Sequence, residues 1–152
     1  MLVTAIYMMM VSTRAEVNGW EWTFIRAGLS IYTGWLTTAT ILNFTATLKF
    51  FGFEGFTWFS EELITIVILY TASLIYNLAS YIELNPLYGS VFIWVLIAIR
   101  NESLNERPQY TNLEINLDLL GIFQIITMTA LWSYLSAEAI NGLGSDVRGL
   151  FL

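Results

Sequence analysis

The sequence predicts an all-α fold: a polytopic membrane helix bundle with four transmembrane helices and a short apolar helix at the N-terminus. Three observations predict it. Hydrophobic residues make up 57% of the 152 residues and charged residues 12%, against about 45–50% and about 25% in ordinary globular domains. Uncharged blocks recur at 27–48, 63–82, 86–99 and 119–137, fenced by Arg26, Lys49, Glu62, Glu83, Arg100, Asp118 and Glu138. The mean hydropathy of +0.65 leaves too little polar surface to cover a 17.3 kDa particle in water. No internal repeat or linker divides the chain, which reads as a single membrane domain over 1–152.

Residues 2–11 (LVTAIYMMMV) are apolar but too short to span, and no Lys or Arg precedes them as a secretory signal requires. They are expected to insert partly, to lie in the interface or to dock against neighbouring protein, with Met8, Met9 and Met10 as adaptable packing groups. Ser12 to Gly19 is polar, and Trp20 and Trp22 ahead of Arg26 suit the membrane interface. The block 27–48 holds 22 uncharged residues, and at about 1.5 Å per residue it reaches roughly 33 Å, enough to cross the hydrocarbon. Within it Ser30, Gly34 and Thr38 recur every fourth residue and form a small-residue groove down one face. Together with Thr33, Thr37, Thr40, Asn43, Thr45 and Thr47 they mark a helix made to be gripped by protein.

The aromatic link from Lys49 to Ser60 reads as an interfacial turn, with Ser60 as a helix cap and Glu61 and Glu62 in the first turn after it. The block 63–82 supplies a second span. Asn85-Pro86 then starts a third helix, with proline at the first helical position where its missing N–H costs nothing. Blocks 63–82 and 86–99 therefore form a tight antiparallel hairpin with Glu83 in a solvated turn. Residues 100–118 are polar and expected to form an extramembrane loop. Block 119–137 is the fourth span, and 138–152 is an amphipathic tail. Lys and Arg on alternate sides number three each (Arg14, Arg26, Arg148 against Lys49, Arg100, Arg107), so charge fixes no orientation.

The net charge of −6 argues against nucleic acid as a partner, because phosphates call for clustered cations. Without cysteine there is no disulfide, thiolate nucleophile or iron–sulfur ligation. Without histidine there is no imidazole ligand and no ordinary base near neutral pH. The chain is accordingly expected to be no enzyme, with no catalytic or metal-ligating residue and no cofactor. Adjacent Glu61 and Glu62 point about 100° apart on a helix and cannot form a dyad on one face. Asn43, Asn77 and Gln124 are amides inside spans, suited to interhelical hydrogen bonds or, less commonly, to a ligand. Tyr70, Tyr76, Tyr81, Trp94, Trp132 and Tyr134 are aromatics for core or interface packing, or for the walls of a flat-ligand cavity.

Tyr32, Trp35, Ala39, Thr40, Leu42 and Asn43 fall in the pattern Tyr-x-x-Trp-x-x-x-Ala-Thr-x-Leu-Asn. This pattern resembles the last helix of the translocator-protein family, also called tryptophan-rich sensory proteins. The resemblance implies a helical bundle with Trp35 and Asn43 facing its interior, an association with porphyrins or sterols, and a mitochondrial setting. It departs from the family at Ile31, where the family carries proline, and in position, since three spans follow the motif here.

The residues leave two functional classes open. The favoured expectation is a non-catalytic accessory subunit of a large complex of the mitochondrial inner membrane, a respiratory-chain complex, with other membrane subunits and membrane lipids as partners. The alternative is a small-ligand binding membrane protein of the translocator type. Helix-packing or ligand-facing residues in either case are Ser30, Tyr32, Gly34, Trp35, Thr38, Ala39, Asn43, Asn77 and Gln124.

Overall fold

The computed structural model describes residues 1–14, 22–51, 61–106 and 111–149, and every regular element among them is helical. Helix α1 is Leu2–Arg14. A π-helical turn, Trp22–Arg26, runs directly into α2, Ala27–Phe50. Helices α3 (Glu61–Ile82), α4 (Pro86–Glu106) and α5 (Thr111–Gly149) complete the bundle.

The middle of the bundle is α4, which packs against α2, α3 and α5. Its inward residues Tyr88, Val91, Phe92, Val95 and Leu96 are all buried. The ring of Tyr76 on α3 stacks between those of Tyr88 and Phe92, with centroids 4.9 Å away on each side. Gly34 brings α2 onto this layer, since a Cβ there would lie 2.8 and 2.9 Å from Val91 Cγ2 and Cβ and 3.3 Å from the Tyr88 carbonyl. The hydroxyls of α2 then close on the two phenols. Tyr76 Oη donates to the Gly34 carbonyl and receives Thr38 Oγ1 at 2.7 Å, and Thr37 Oγ1 lies 3.0 Å from Tyr88 Oη.

The N-terminal segment docks inside the chain. Ala5 and Met9 of α1 are buried, Met8 is exposed, and Thr33 Oγ1 of α2 sits 3.2 Å from the Ala5 carbonyl. One face of this short apolar segment, carrying Ala5 and Met9, finds cover on the same molecule, while Val3, Tyr7, Met8 and Val11 stay exposed.

Two stretches among the described residues are long and apolar enough to cross a bilayer, Glu62–Ile82 and Asn112–Asn141. The expectation of four spans is met on this criterion for two. Helix α2 is long enough but diluted by hydroxyl and amide side chains, and the apolar part of α4 ends at Ile99. The expected polar loop 100–118 is overturned. Helix α4 continues through Glu106 and α5 begins at Thr111, leaving only 107–110 outside the described residues. Arg100 and Asp118 join the two helices by an exposed ion pair, with Nε 2.6 Å from Oδ1, a contact of roughly 0–1 kcal/mol. The tail likewise continues α5 through Gly149. The interfacial readings of 15–21 and 52–60, including Trp20 and the Ser60 cap, lie outside the described residues.

Glu62 does more than open α3. Its Oε1 accepts the Leu113 N–H in the first turn of α5 at 2.8 Å, so one carboxylate serves the positive ends of two helices.

Replacing Gly34 by alanine should destabilise the protein by about 1–3 kcal/mol, because a methyl group enters a filled contact. Val91→Ala in the same chain should restore only part of the loss, because it removes Cγ2 but keeps the Cβ at 2.9 Å. A double-mutant cycle of unfolding in detergent measures the coupling, and strict additivity would rule out the close approach.

Candidate ligand-binding recess

The hairpin between α3 and α4 is built by backbone hydrogen bonds. Asn85 N donates to Ser80 O at 2.8 Å and Leu84 N to Tyr81 O at 3.4 Å, the two bonds of a Schellman ending. Leu84 takes the left-handed position usually held by glycine, with φ of 49°, at a cost of about 1–2 kcal/mol. This ending turns Glu83 inward. It is only 8% exposed, which corrects the expected solvated turn. A helix boundary marked by charge locates the turn but not which side of it faces the bundle.

The same turn aims Asn85 at α2. Asn85 Nδ2 donates to Ser30 Oγ at 2.6 Å, and Ser30 Oγ donates to the Arg26 carbonyl at 2.6 Å. The hairpin is thereby tied through α2 to the π-helical turn that carries Arg26. π-Turns are rare and frequently found at functional sites.

Arg26, the hairpin and α5 border a half-open recess of about 430 Å³. Leu84, Asn85 and Leu87 form one wall and Trp132, Leu135 and Ser136 the other, with Arg26 at the side. Its size and make-up, an indole and leucines with a few polar groups, are those of small-molecule sites. Two other concavities differ in character. A cavity of about 100 Å³ between α2, α3 and α4 is lined by Ile41, Leu69, Ala72, Phe92 and Val95, with Thr38 and Tyr76 at its edge. That is well below the roughly 300 Å³ of a ligand pocket. A groove of about 610 Å³ runs over α3 and α5, lined by Tyr70, Leu74, Leu119, Leu120 and Phe123. It lies on the two helices of spanning length.

A second polar centre holds α3, α4 and α5 together. Gln124, fully buried on α5, donates from Nε2 to the Gly89 carbonyl at 3.1 Å and accepts Asn77 Nδ2 at 2.7 Å. A Cβ at Gly89 would press on Ser80 Oγ and Met128 Sδ, so a larger residue there would force both side chains to shift. Two buried atoms here, Asn77 Oδ1 and Ser80 Oγ, have no hydrogen-bond partner among the described residues.

The structure therefore sorts the sequence-expected residues into three sets. Ser30, Gly34 and Thr38 lie together on the buried face of α2. Asn77 and Gln124 meet across α3 and α5. Tyr32, Trp35, Ala39 and Asn43 lie on the opposite face of α2 and point outward, with Tyr32 52% and Trp35 51% exposed. The expected inward orientation of Trp35 and Asn43 is corrected. With Ser30, Thr33, Gly34, Thr37 and Thr38 packed inside, residues at 32, 35, 39 and 43 are rotated away from the core. Of the flagged aromatics, Tyr76 enters the core and Trp132 the recess, whereas Trp94 and Tyr134 are exposed. Reading the sequence did not find Tyr88, Leu84 or the Asn85–Ser30 tie. The Asn-Pro pair gave the helix start correctly but carries no sign of where the amide points.

Gln124→Leu should cost about 1–3 kcal/mol, since it removes the interhelical bonds to Gly89 and Asn77, while Asn77 Nδ2 keeps the Ser73 carbonyl at 2.8 Å. Ser80→Ala, which removes a hydroxyl without a partner, should leave stability within about 1 kcal/mol of the parent or raise it. Unfolding midpoints of both variants check the pair, and a large loss in Ser80→Ala would show that its hydroxyl is satisfied.

The family model described as TSPO-like protein matches residues 1–136. No curated protein and no solved structure gives a match. The family match favours the second of the two functional classes, and nothing in the comparisons supports an accessory subunit of a respiratory-chain complex. With 136 of 152 residues covered, and with apolar helices of spanning length, the chain is a membrane protein that belongs to the TSPO-like family.

Proposed function

We propose that the protein binds a small amphipathic ligand of the porphyrin or sterol type in the recess beside Arg26, without carrying out chemistry on it, and that α2 and α4 cross the membrane together with α3 and α5. The observation that carries the binding reading is the recess itself, apolar on two walls and bearing a permanent cation at the side. A carboxylate-bearing tetrapyrrole can add a charge-assisted bond to the Arg26 guanidinium, which a sterol's single hydroxyl matches less well. A mitochondrial membrane, the setting implied by the family resemblance, is part of the same proposal and is tested by fractionating the cells that make the protein.

The four-span topology is supported by how α2 treats its hydroxyls. Thr40, Thr45 and Thr47 each donate to the carbonyl four residues earlier, at 2.7, 2.9 and 2.7 Å. A back-bonded threonine presents a methyl group rather than an unsatisfied donor, which lowers the cost of facing lipid below what its hydropathy implies. The 24 residues of α2 and 21 of α4 reach roughly 36 and 31 Å at about 1.5 Å per residue. Since the chain has no cysteine, single cysteines at the two ends of each helix are clean reporters, Phe24→Cys and Phe51→Cys for α2 and Leu84→Cys and Asn101→Cys for α4. The two members of each pair should label with an impermeant maleimide from opposite sides of a sealed vesicle, and labelling of either pair from one side would exclude the topology.

For the ligand, protoporphyrin titrated into the purified protein should give a saturable shift of its absorption. Arg26→Gln should weaken that binding about tenfold, the loss of one charge-assisted contact, and Leu135→Trp should abolish it by filling the recess. Unchanged affinity in both variants would place the ligand elsewhere.

A further inference from the structure

Helix α2 differs from its neighbours on its outward side. The exposed faces of α3 and α5 carry many aliphatic residues, as with Val67, Leu74 and Leu78, or Leu119, Ile122 and Ile126, beside Phe123 and the phenols Tyr70, Tyr81 and Tyr134, which bond within the chain. Such faces suit lipid. The exposed face of α2 instead presents Tyr32, Trp35, Ala39, Asn43 and Ala46, which alternate large rings, small residues and an amide. The threonines on this side satisfy themselves, but among the described residues nothing bonds the side chain of Asn43. Asn43 stands about 7 Å from the midpoint of α2, reckoned at about 1.5 Å per residue, well inside the hydrocarbon if the helix spans. A carboxamide left without partners there is costly, and in membrane helices such groups bond across to another helix.

The pattern also says what kind of helix. Copies inserted in one orientation pair about an axis along the membrane normal, so each residue meets its own counterpart at the same depth. Tyr32 and Trp35 would then oppose their own rings, while one turn on Ala39 would oppose Ala39. Large against large beside small against small leaves the helices propped apart over a void, whereas good packing sets large against small. We propose that the outward face of α2 docks a membrane helix of a different protein chain, one that is small level with Tyr32 and Trp35, larger level with Ala39, and equipped with an amide or hydroxyl at the depth of Asn43. The inference rests on α2 crossing the bilayer, and the experiment below separates the two.

Benzoylphenylalanine is introduced in place of Ala39 in the full chain, and in a second variant in place of Ile122 on α5 as a lipid-facing control. Both are photolysed in membranes of the cells that natively make the protein. The expected result is one discrete protein adduct at position 39 and lipid adducts at 122. The peptide crosslinked at 39, read by mass spectrometry, should lie in a membrane-spanning segment with the size pattern stated. Asn43→Leu should lower its yield about fivefold to tenfold, and Asn43→Gln should keep most of it. An adduct of twice the 17.3 kDa chain mass would replace the foreign helix by a second copy and overturn the proposal. Lipid adducts at 39 would overturn it while leaving α2 as a span. Adducts with neither lipid nor protein at 39, with lipid adducts at 122, would overturn the spanning of α2 as well.

Discussion

The phenol of Tyr76 holds the arrangement in which everything else is placed. It comes from α3, lies between two rings of α4, and spends its hydroxyl on the Gly34 carbonyl and the Thr38 side chain of α2. Three helices meet on one side chain. Water offers no competing partner inside the bundle, so each polar atom must be answered by the chain or left at a cost of some kcal/mol. The same accounting explains Thr37 on Tyr88, Asn85 on Ser30 and Gln124 on Gly89. These contacts set the depth and rotation of each rod, which apolar burial alone, being non-directional, cannot do.

Much of this was legible from residue order because small and hydroxylated residues at every fourth position have few uses other than close helix contact. Ser30, Gly34 and Thr38 announced the buried face of α2, and Asn85-Pro86 announced the start of α4. Other features were not legible, for identifiable reasons. Arg100 to Glu106 and Thr111 to Asp118 are polar, and polarity reports where lipid ends, not where a helix ends. Charged and amide residues such as these prolong a helix into water without difficulty. The aromatic motif around Trp35 suggested an interior orientation by resemblance, but orientation follows from the competing face. Five small or hydroxylated residues packed against α3, α4 and α1 outweigh two rings that lipid or another protein can cover.

The recess depends on this framework more than on its own lining. One of its walls is a turn in which a leucine occupies a glycine conformation, and its cation stands on a π-helical turn anchored through Ser30 to Asn85. Local cost of this kind persists only where the surroundings hold it in place. Here the surroundings are the hairpin of α3 and α4 and the N-terminal end of α2. A perturbation at the Gly34 contact therefore reaches the recess through rigid helices, although no residue of that contact lines it.

Helix α5 adds one more consequence. Its 39 residues amount to a rod of roughly 58 Å, against about 30 Å of hydrocarbon, and it contributes Trp132, Leu135 and Ser136 to the recess. The excess length has to be taken up by tilt or by projection beyond the lipid. How much of the recess is bathed by headgroups then varies with the thickness of the host membrane, which makes lipid composition itself a modulator of access.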